Sequence, residues 1–245
     1  MRIVVVGGTG FIGSRLVKQL RSRGHQVSAQ ARDTGLDLLT GKGLPGAVEG
    51  AEAVVNTIDA PSFDAAAIPF FRTTTRNLLD AAEQAGVKHL VLLSIVGIDQ
   101  VSQVDYYRAK VAQENEFKAG SIPYSIVRAT QFMEFVPKIM SWTTDGNIVR
   151  LPTTPLQPAA AGEVVDVLAD VATGAPLNGT LDVAGPDVLT LDRLGRLTLD
   201  AHPDGRSVVV DESAGLFAAV VGDAITAPAD ARLCCTHYTD LLSIG

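Results

Sequence analysis

Three side chains near the middle of the chain, Ser94, Tyr106 and Lys110, have the types and the spacing needed to move a proton. Ser94 ends the apolar run His89–Ser94, which predicts a buried strand. Tyr106 and Lys110 are four residues apart on a predicted helix, so both lie on one helix face. A phenol has a pKa of about 10, and a neighbouring ammonium group stabilises its anion. Tyrosine would act as acid or base in a hydride transfer, lysine would tune it and bind a cofactor ribose, and serine would orient the substrate oxygen.

The tyrosine and the lysine alone leave two interpretations open, because Tyr-x-x-x-Lys occurs often by chance. The alternative is a solvated helix face along which the lysine side chain extends. The order of features along the chain favours the functional interpretation. A glycine-rich turn comes first, then the serine at a strand end, and then the helix with the tyrosine and the lysine.

The glycine-rich turn Gly7-Gly8-Thr9-Gly10-Phe11-Ile12-Gly13 joins the first predicted strand to the first predicted helix. Its spacing places Gly7 at a tight turn, Gly10 where a pyrophosphate approaches the backbone, and Gly13 where the helix packs on the sheet. Free amide groups and the helix dipole would then hold the phosphates. The alternative is a structural turn without a ligand. The pattern predicts a dinucleotide-binding turn.

Strands and helices alternate over the first 130 residues. The predicted strands lack polar alternation, which indicates a parallel sheet covered by helices on both faces. The sequence therefore predicts an α/β fold of the doubly wound, Rossmann type, with an NAD(P)-binding domain at residues 1–130. Residues 131–245 are predicted to be a smaller C-terminal substrate or lid region over the carboxyl edge of the sheet, within the same structural unit. The predicted strands are Ile3–Val6, Gln26–Ala31, Ala53–Asn56, His89–Ser94, Tyr124–Ala129 and Gly179–Val183; the predicted helices are Phe11–Arg23, Phe70–Ala85, Tyr106–Ala119, Gly162–Thr173 and Leu191–Leu199; 151–158 is predicted to be a loop.

The residues after the second predicted strand favour NADP(H) over NAD(H). Folds that bind NAD usually place an acidic residue there, which bonds the ribose 2′-hydroxyl. Ala31 stands at that position and Arg32 follows it, and a guanidinium group suits a 2′-phosphate. The alternative is that Arg32 is a surface charge paired with Asp33.

Composition limits the partners and the compartment. The chain has 27 Asp and Glu against 20 Lys and Arg, a net charge of −7, which argues against binding to nucleic acid or to anionic lipid. No apolar run is long enough to span a bilayer, and the chain opens on a predicted strand rather than a signal peptide. Cys234 and Cys235 are the two cysteines and fit a reducing compartment, so we expect a cytoplasmic protein. The scattered histidines predict no metal site.

Several segments together resemble the short-chain dehydrogenase/reductase superfamily, and more narrowly its atypical branch of NmrA-like and isoflavone-reductase-like NAD(P)-binding proteins. The likeness to the superfamily rests on Gly7–Gly13, Ser94 and Tyr106–Lys110. The likeness to the branch rests on Gly86–Ser94, Tyr106–Glu114, Ile126–Phe132, Gln157-Pro158 and Ala184-Gly185-Pro186. The resemblance covers nearly the whole chain and is more specific for fold and cofactor than for activity.

The resemblance implies a role for each position that matches the family pattern. Gly7 and Gly13 would shape the cofactor turn, and Ser94 and Lys110 would also lie beside the cofactor. The remaining implied contacts are Thr9, Gly10, Phe11 and Ile12 with the phosphates; Arg32 with the 2′-phosphate; Asn56, Thr57 and Ile58 with the adenosine side; and Ala129, Thr130, Gln131 and Phe132 with the nicotinamide side.

The chain departs from the family pattern at two places. The stretch Phe71–Thr75 lacks the asparagine with which many members continue the proton relay, and the segment Asn56-Thr57-Ile58-Asp59 is not the usual Ala-Gly ending of its strand. Both departures touch the region where the reaction is expected.

The predicted function is NADPH-dependent reduction of a carbonyl or an activated double bond in a small, largely apolar molecule. Two alternatives stay open. One is a regulator that binds NADP(H) and a protein partner without catalysis, and the other is an epimerase or dehydratase that recycles its cofactor. The family also implies a possible homodimer formed through helices that flank the sheet.

Overall fold

A computed structural model describes residues 1–244 and contains twelve strands and eight helices in that range. The strands are β1 (Arg2–Val6), β2 (Gln26–Gln30), β3 (Ala53–Asn56), β4 (His89–Ile95), β5 (Tyr124–Ala129), β6 (Thr144–Asp145), β7 (Ile148–Leu151), β8 (Pro155–Leu156), β9 (Gly179–Ala184), β10 (Leu189–Thr190), β11 (Ser207–Val210) and β12 (Arg232–Leu233). The helices are α1 (Phe11–Ser22), α2 (Leu44–Val48), α3 (Ala67–Gln84), α4 (Asp105–Ala119), α5 (Val136–Trp142), α6 (Ala161–Thr173), α7 (Leu191–Ala201) and α8 (Tyr238–Ile244).

Seven strands form one sheet in the order β12-β9-β5-β4-β3-β1-β2. β1 pairs in parallel with β2 on one side and with β3 on the other, and β3 pairs in parallel with β4. The chain therefore changes direction across the sheet between β1 and β3, which is the switch point where such folds bind ligands. This parallel sheet with its connecting helices confirms the predicted Rossmann-type α/β fold.

The inner strands are mostly apolar because both of their faces are covered. All four residues of β3 are buried, as are the last four residues of β1. Val4 and Val54 pack in a core cluster with Leu78 of α3 and Phe117 of α4. The absence of polar alternation in these segments is the sequence signature of burial on both faces.

The predicted bounds agree best with the structure for two short, buried strands. β3 and β5 have the predicted bounds, whereas α3 begins at Ala67 rather than at Phe70. The stretch 151–158, predicted as a loop, contains β8, which pairs antiparallel with β10. A strand of two residues has too few positions to show alternation, so the hydrophobic pattern of the sequence does not indicate it.

The chain divides into two compact units. The first consists of Met1–Ser94, Asp105–Arg128 and Val165–Leu181; the second consists of Ile95–Val104, Ala129–Val164 and Asp182–Gly245. Most of α6 thus belongs to the first unit, although the sequence suggested one division at residue 130. Ion pairs join this part of α6 to the first unit, because Arg23, which follows α1, bonds Asp166 at 3.0 Å and Asp170 at 2.7 Å.

The second unit contains two small sheets, β11-β7-β6 and β10-β8. Gly195 lets α7 pack closely on β7, since a Cβ there would lie 2.5 Å from Leu151 Cδ1. None of the helices in residues 1–244 combines the length and the apolar character that crossing a bilayer requires. The same range holds no group of three His, Cys, Asp or Glu side chains arranged for a metal ion.

Candidate functional site

The glycine turn after β1 depends on close backbone packing. Gly7 has a left-handed conformation with φ of +80°, and a Cβ on Gly13 would lie 2.1 Å from the Gly7 carbonyl oxygen. Any side chain at Gly13 would therefore push α1 away from the turn. Among the described atoms, a Cβ on Gly10 would meet one neighbour within 4 Å, the Gly7 carbonyl oxygen at 3.2 Å. The turn is open on the Gly10 side.

The amino end of α1 presents amide groups to an anion. The helix is 12 residues long and follows Gly10, whose backbone is extended. Over the part of the chain that the structure describes, no side chain caps this end and no acidic residue lies in its first turn. First-turn amides have no partner inside a helix, and the dipole is positive there. The turn therefore fits a pyrophosphate.

The segment after β3 is hydrogen-bonded to the end of β1, directly before the glycine turn. The Thr57 amide and hydroxyl both donate to the Val6 carbonyl, at 2.9 and 3.0 Å. Asn56 Oδ1 accepts a hydrogen bond from the Ile58 amide at 3.0 Å. Asn56 is 1% exposed, and its Nδ2 has no partner among residues 1–244. A buried donor without an acceptor at the switch point fits a polar ligand atom, whereas the Thr57 hydroxyl is occupied within the fold.

In the loop after β2, the neighbouring residues Arg32 and Asp33 have different surroundings. The Arg32 side chain is exposed, and Asp33 accepts a hydrogen bond from the Thr9 hydroxyl at 3.1 Å. Asp33 is therefore linked to the glycine turn. The Arg32 charge is a minor cause of the lowered pKa of Asp37, which is due mainly to the Thr40 hydroxyl and then to backbone amides.

Ser94 lies on β4 beside a buried ion pair. Its side chain is 2% exposed, and its Oγ meets no partner with hydrogen-bond geometry in the described chain. Glu114 of α4 accepts two hydrogen bonds from Arg128, both at 2.8 Å, and one from Lys118 at 3.0 Å. Burial opposes ionisation of Glu114, but Arg128, the nearby Ser94 hydroxyl and Lys118 together hold its pKa below the ordinary value. The Ser94 hydroxyl thus lies close to the Glu114 carboxylate without a hydrogen bond of regular geometry.

Tyr106 bonds a carboxylate rather than the lysine one turn away. Its hydroxyl donates to Asp59 Oδ1 at 2.6 Å, and its ring centre is 4.9 Å from that of Phe63. Burial and then the Asp59 charge raise the pKa of Tyr106 above its ordinary value. The expected lowering of this pKa by Lys110 is therefore not what the structure shows, because a neighbouring carboxylate opposes formation of a phenolate.

Lys110 is buried and bonds the strand that carries Ser94. Its Nζ donates to the Leu93 carbonyl at 3.0 Å and to Gln113 Oε1 at 2.6 Å, and it lies 5.0 Å from the centre of the Phe71 ring. Burial lowers its pKa to about 8, against the opposing charges of Asp59 and Glu114. A lysine in this environment changes charge near neutral pH.

The three predicted catalytic residues thus lie in one unit but have separate partners. We call Asp59, Tyr106, Lys110 and Gln113 the Tyr106 cluster. Sequence reasoning singled out Tyr106 and Lys110 but missed Asp59 and Gln113. The available signal for Asp59 was the unusual segment Asn56-Thr57-Ile58-Asp59, which ends in an acidic residue directly after a buried strand.

The residues predicted beside the nicotinamide belong to the second unit. Ala129 is buried at the end of β5, and the Thr130 hydroxyl donates to the Gln157 carbonyl at 2.6 Å. Gln131 has both side-chain polar atoms buried and without a partner in residues 1–244. Phe132 forms a backbone bridge with Ala159. Gln131 is thus the member of this stretch with side-chain hydrogen-bonding capacity to spare.

Comparison with known proteins identifies the type of domain. Residues 34–148 match the family model described as NAD(P)H-binding. This range includes Ser94 and the Tyr106 cluster but begins after the glycine turn and Arg32. The case for the turn therefore rests on its own geometry.

Curated relatives are similar over part of their length. The photosystem II assembly factor Ycf39 of Synechocystis is 28% identical over 149 residues, covering 55% of this chain and 46% of that protein. The chloroplastic divinyl chlorophyllide a 8-vinyl-reductase of Cucumis sativus is 28% identical over 221 residues, covering 75% of this chain and 52% of that protein. The chain thus spans about half the length of these relatives.

Solved structures share the fold at low sequence identity. UDP-glucose 4-epimerase of Thermus thermophilus, solved with NAD, has a TM-score of 0.72 and 18% identity, with 89% of each chain covered. The NADPH-dependent quinone oxidoreductase QOR2 of Escherichia coli has a TM-score of 0.69 and 18% identity, covering 85% of this chain and 77% of that chain. Together with the family match, these structures agree with the resemblance: residues 34–148 match an NAD(P)H-binding domain, and the chain shares the fold of solved structures that hold NAD or NADPH.

Proposed function

We propose that the protein is an NADPH-dependent reductase of a carbonyl or an activated double bond in a small, largely apolar molecule. The observation that carries the proposal is the buried Lys110 ammonium group, which donates to the carbonyl of Leu93, next to Ser94. The Ser94 hydroxyl makes no hydrogen bond of regular geometry in the described chain, although it helps to lower the pKa of Glu114. A buried ammonium group suits an oxygen that gains negative charge during reduction. Sequence relatives named as reductases support the same class.

In the proposed reaction the bound cofactor supplies a hydride. Ser94 donates a hydrogen bond to the substrate oxygen, and Tyr106 gives it a proton. Lys110, whose pKa is about 8, places positive charge near the developing oxyanion when it is protonated. Burial of Tyr106 and Lys110 strengthens these interactions by keeping water away.

The preferred cofactor in this proposal is NADP(H). Support comes from the exposed Arg32 after β2 and from the bond that occupies the neighbouring Asp33 carboxylate with Thr9. An acidic residue held by the turn is less able to bond the ribose 2′-hydroxyl, while a guanidinium pairs with a 2′-phosphate. The partner is a small molecule, and the possible homodimer remains a prediction that light scattering checks. The two free thiols, Cys234 and Cys235, favour a reducing compartment such as the cytoplasm.

A second candidate is a cofactor-binding protein without catalysis. Two observations favour it: relatives named as assembly factors and the Asp59 carboxylate, which disfavours a Tyr106 phenolate. Structural neighbours also include an epimerase and a dehydratase, whose names suggest a cofactor that is recycled.

One experiment separates these functions. Purified protein with saturating NADPH is mixed with cinnamaldehyde, cyclohexenone or menadione, and NADPH absorbance and products are followed together. A reductase consumes NADPH in proportion to product. Saturable NADPH binding by calorimetry without consumption for any of these compounds contradicts the reductase and supports the sensor. In a second mixture with NAD⁺ and a nucleotide sugar, an isomerised or dehydrated product without net formation of NADH supports the recycling enzyme.

A further inference from the structure

Asp59 connects the buried phenol of Tyr106 to the surface. Asp59 itself is exposed, whereas Tyr106 is 8% exposed. Asp59 Oδ1 accepts the Tyr106 hydroxyl at 2.6 Å and the Ala60 amide at 2.8 Å. Both bonds reach the same oxygen, and the one from the neighbouring backbone amide holds the carboxylate in the loop after β3 with Oδ1 toward the phenol.

A tyrosine that donates a proton in each turnover must regain one. The Lys110 ammonium donates to Leu93 and Gln113, and these bonds do not carry a proton to the phenol. The stretch Phe71–Thr75 of α3 contains no asparagine, and Asn77, further along the helix, donates its Nδ2 to the Leu38 carbonyl at 2.8 Å. In that helix the Thr74 hydroxyl donates to the Phe70 carbonyl of its own turn, at 2.8 Å. Asp59 is an exposed, ionisable group bonded directly to the Tyr106 oxygen.

We propose that Asp59 is a positioning residue that returns a proton from solvent to Tyr106 in each catalytic cycle. The inference rests on the proposed reductase function. In the step, the substrate oxygen takes the phenolic proton while the O–H bond of a protonated Asp59 breaks and its proton passes to the Tyr106 oxygen. Asp59 is left as a carboxylate, which water or buffer protonates again. No electron pair leaves the oxygen atoms, so nothing is oxidised or reduced in this step.

The direction of the pH effect follows from this step. Proton return during reduction needs a protonated Asp59, so turnover should rise as the pH falls, whereas alcohol oxidation needs the carboxylate as proton acceptor. The charged or titratable groups that face the pair from α4 are Lys110, through its charge interaction with Asp59, and Tyr107 beside Tyr106. Asp59→Asn keeps an amide oxygen that accepts the phenol but removes the exchangeable proton.

The first test needs neither cofactor nor substrate. The protein is labelled with ¹³C at the tyrosine ring carbon that bears the hydroxyl, and Tyr106→Phe assigns the resonance. We expect the Tyr106 signal to change between neutral and acid pH in the wild type and in Asp64→Asn, and this change to be absent in Asp59→Asn. Asp64 is the matched control because it is an exposed aspartate that accepts the Ala66 amide at 2.9 Å in the same segment. The same change with pH in Asp59→Asn overturns the coupling.

The second test uses the NADPH-loaded enzyme and whichever of the three carbonyl probes the wild type reduces. We expect kcat in Asp59→Asn to fall by about 100-fold with KM and NADPH affinity retained, and the rise of kcat in acid to disappear. Asp59→Glu should recover part of the turnover and the acid limb, and Asp64→Asn should match the wild type. Equal turnover in Asp59→Asn and Asp64→Asn overturns the relay while the reductase stands. A wild type that binds NADPH and reduces no probe overturns the reductase and the relay with it.

Discussion

The glycine turn after β1 and the Tyr106 cluster after β3 hold their atoms in place by different means. In the turn, backbone lies against backbone, with room for no side chain at Gly13. In the cluster, side chains from separate segments are fixed by hydrogen bonds such as Tyr106 to Asp59 and Lys110 to Gln113. The turn is therefore sensitive to added volume, whereas the cluster is sensitive to changes of charge and of proton-carrying groups.

The largest effect should come from adding one carbon atom to the turn. In Gly13→Ala the new Cβ would lie 2.1 Å from the Gly7 carbonyl oxygen, which forces α1 and the turn apart. We expect NADPH affinity by calorimetry to fall by at least about 100-fold, with a stability loss of about 2 kcal/mol. Gly162→Ala in α6 is the control, because a Cβ there meets no described atom within 4 Å. Equal NADPH affinity in both variants would mean that volume at the turn is unimportant.

Loss of one charge should lower the stability of the protein most at the buried ion pair of Glu114 and Arg128. Glu114 is 1% exposed and Arg128 13% exposed as side chains, so Glu114→Gln leaves a buried guanidinium without its carboxylate. We expect a loss of about 3 kcal/mol in the free energy of unfolding at neutral pH. Glu116→Gln on the same helix breaks the more exposed pair with Arg76 and should cost about 1 kcal/mol or less.

The same pair has a defined pH dependence. Folding lowers the pKa of Glu114, so its contribution is complete above the unfolded pKa of about 4.3 and is lost as pH falls through the folded pKa. Urea unfolding at several pH values should show the difference between wild type and Glu114→Gln shrinking in acid. A difference that stays constant with pH contradicts the assignment.

Removal of the Tyr106 hydroxyl should lower turnover without changing the NADPH affinity that depends on the glycine turn. In Tyr106→Phe we expect kcat for a reduced carbonyl probe to fall by about 100-fold while the calorimetric affinity for NADPH stays near that of the wild type. Tyr124→Phe, at the start of β5, is the matched control and should keep its turnover. Full turnover in Tyr106→Phe would remove the proton donor from the proposed mechanism.

The smallest effect concerns cofactor choice at the edge of the turn. Arg32→Ala should weaken NADPH binding by about 10-fold and leave NADH binding unchanged, because an exposed ion pair contributes little. Arg72→Ala on the exposed face of α3 controls for loss of one positive charge. Parallel losses for NADPH and NADH would show that Arg32 does not contact the 2′-phosphate.

The two regions also differ in how far the sequence predicts them. The turn is local, so Gly7, Gly10 and Gly13 next to a strand and a helix were sufficient to predict it. β3 is equally local, because all four of its residues are apolar or buried. Tyr106 and Lys110 were found by their spacing, but the Tyr106 bond to Asp59 joins residues 47 positions apart. No short pattern encodes that bond, so the spacing of Tyr106 and Lys110 could not predict that the Asp59 carboxylate raises the Tyr106 pKa.

The ion pairs between α1 and α6 affect how the chain folds as it is synthesised. Arg23 bonds two aspartates that lie 143 and 147 residues further along, and the amide of Asn178, just before β9, donates to the Tyr124 carbonyl of β5. A nascent chain that has emerged only to residue 128 has an open edge at β5 and an unpaired Arg23. The first unit can therefore be completed only after residue 181 has left the ribosome. A fragment that ends near residue 130 would expose the unpaired edge of β5, and we expect it to aggregate.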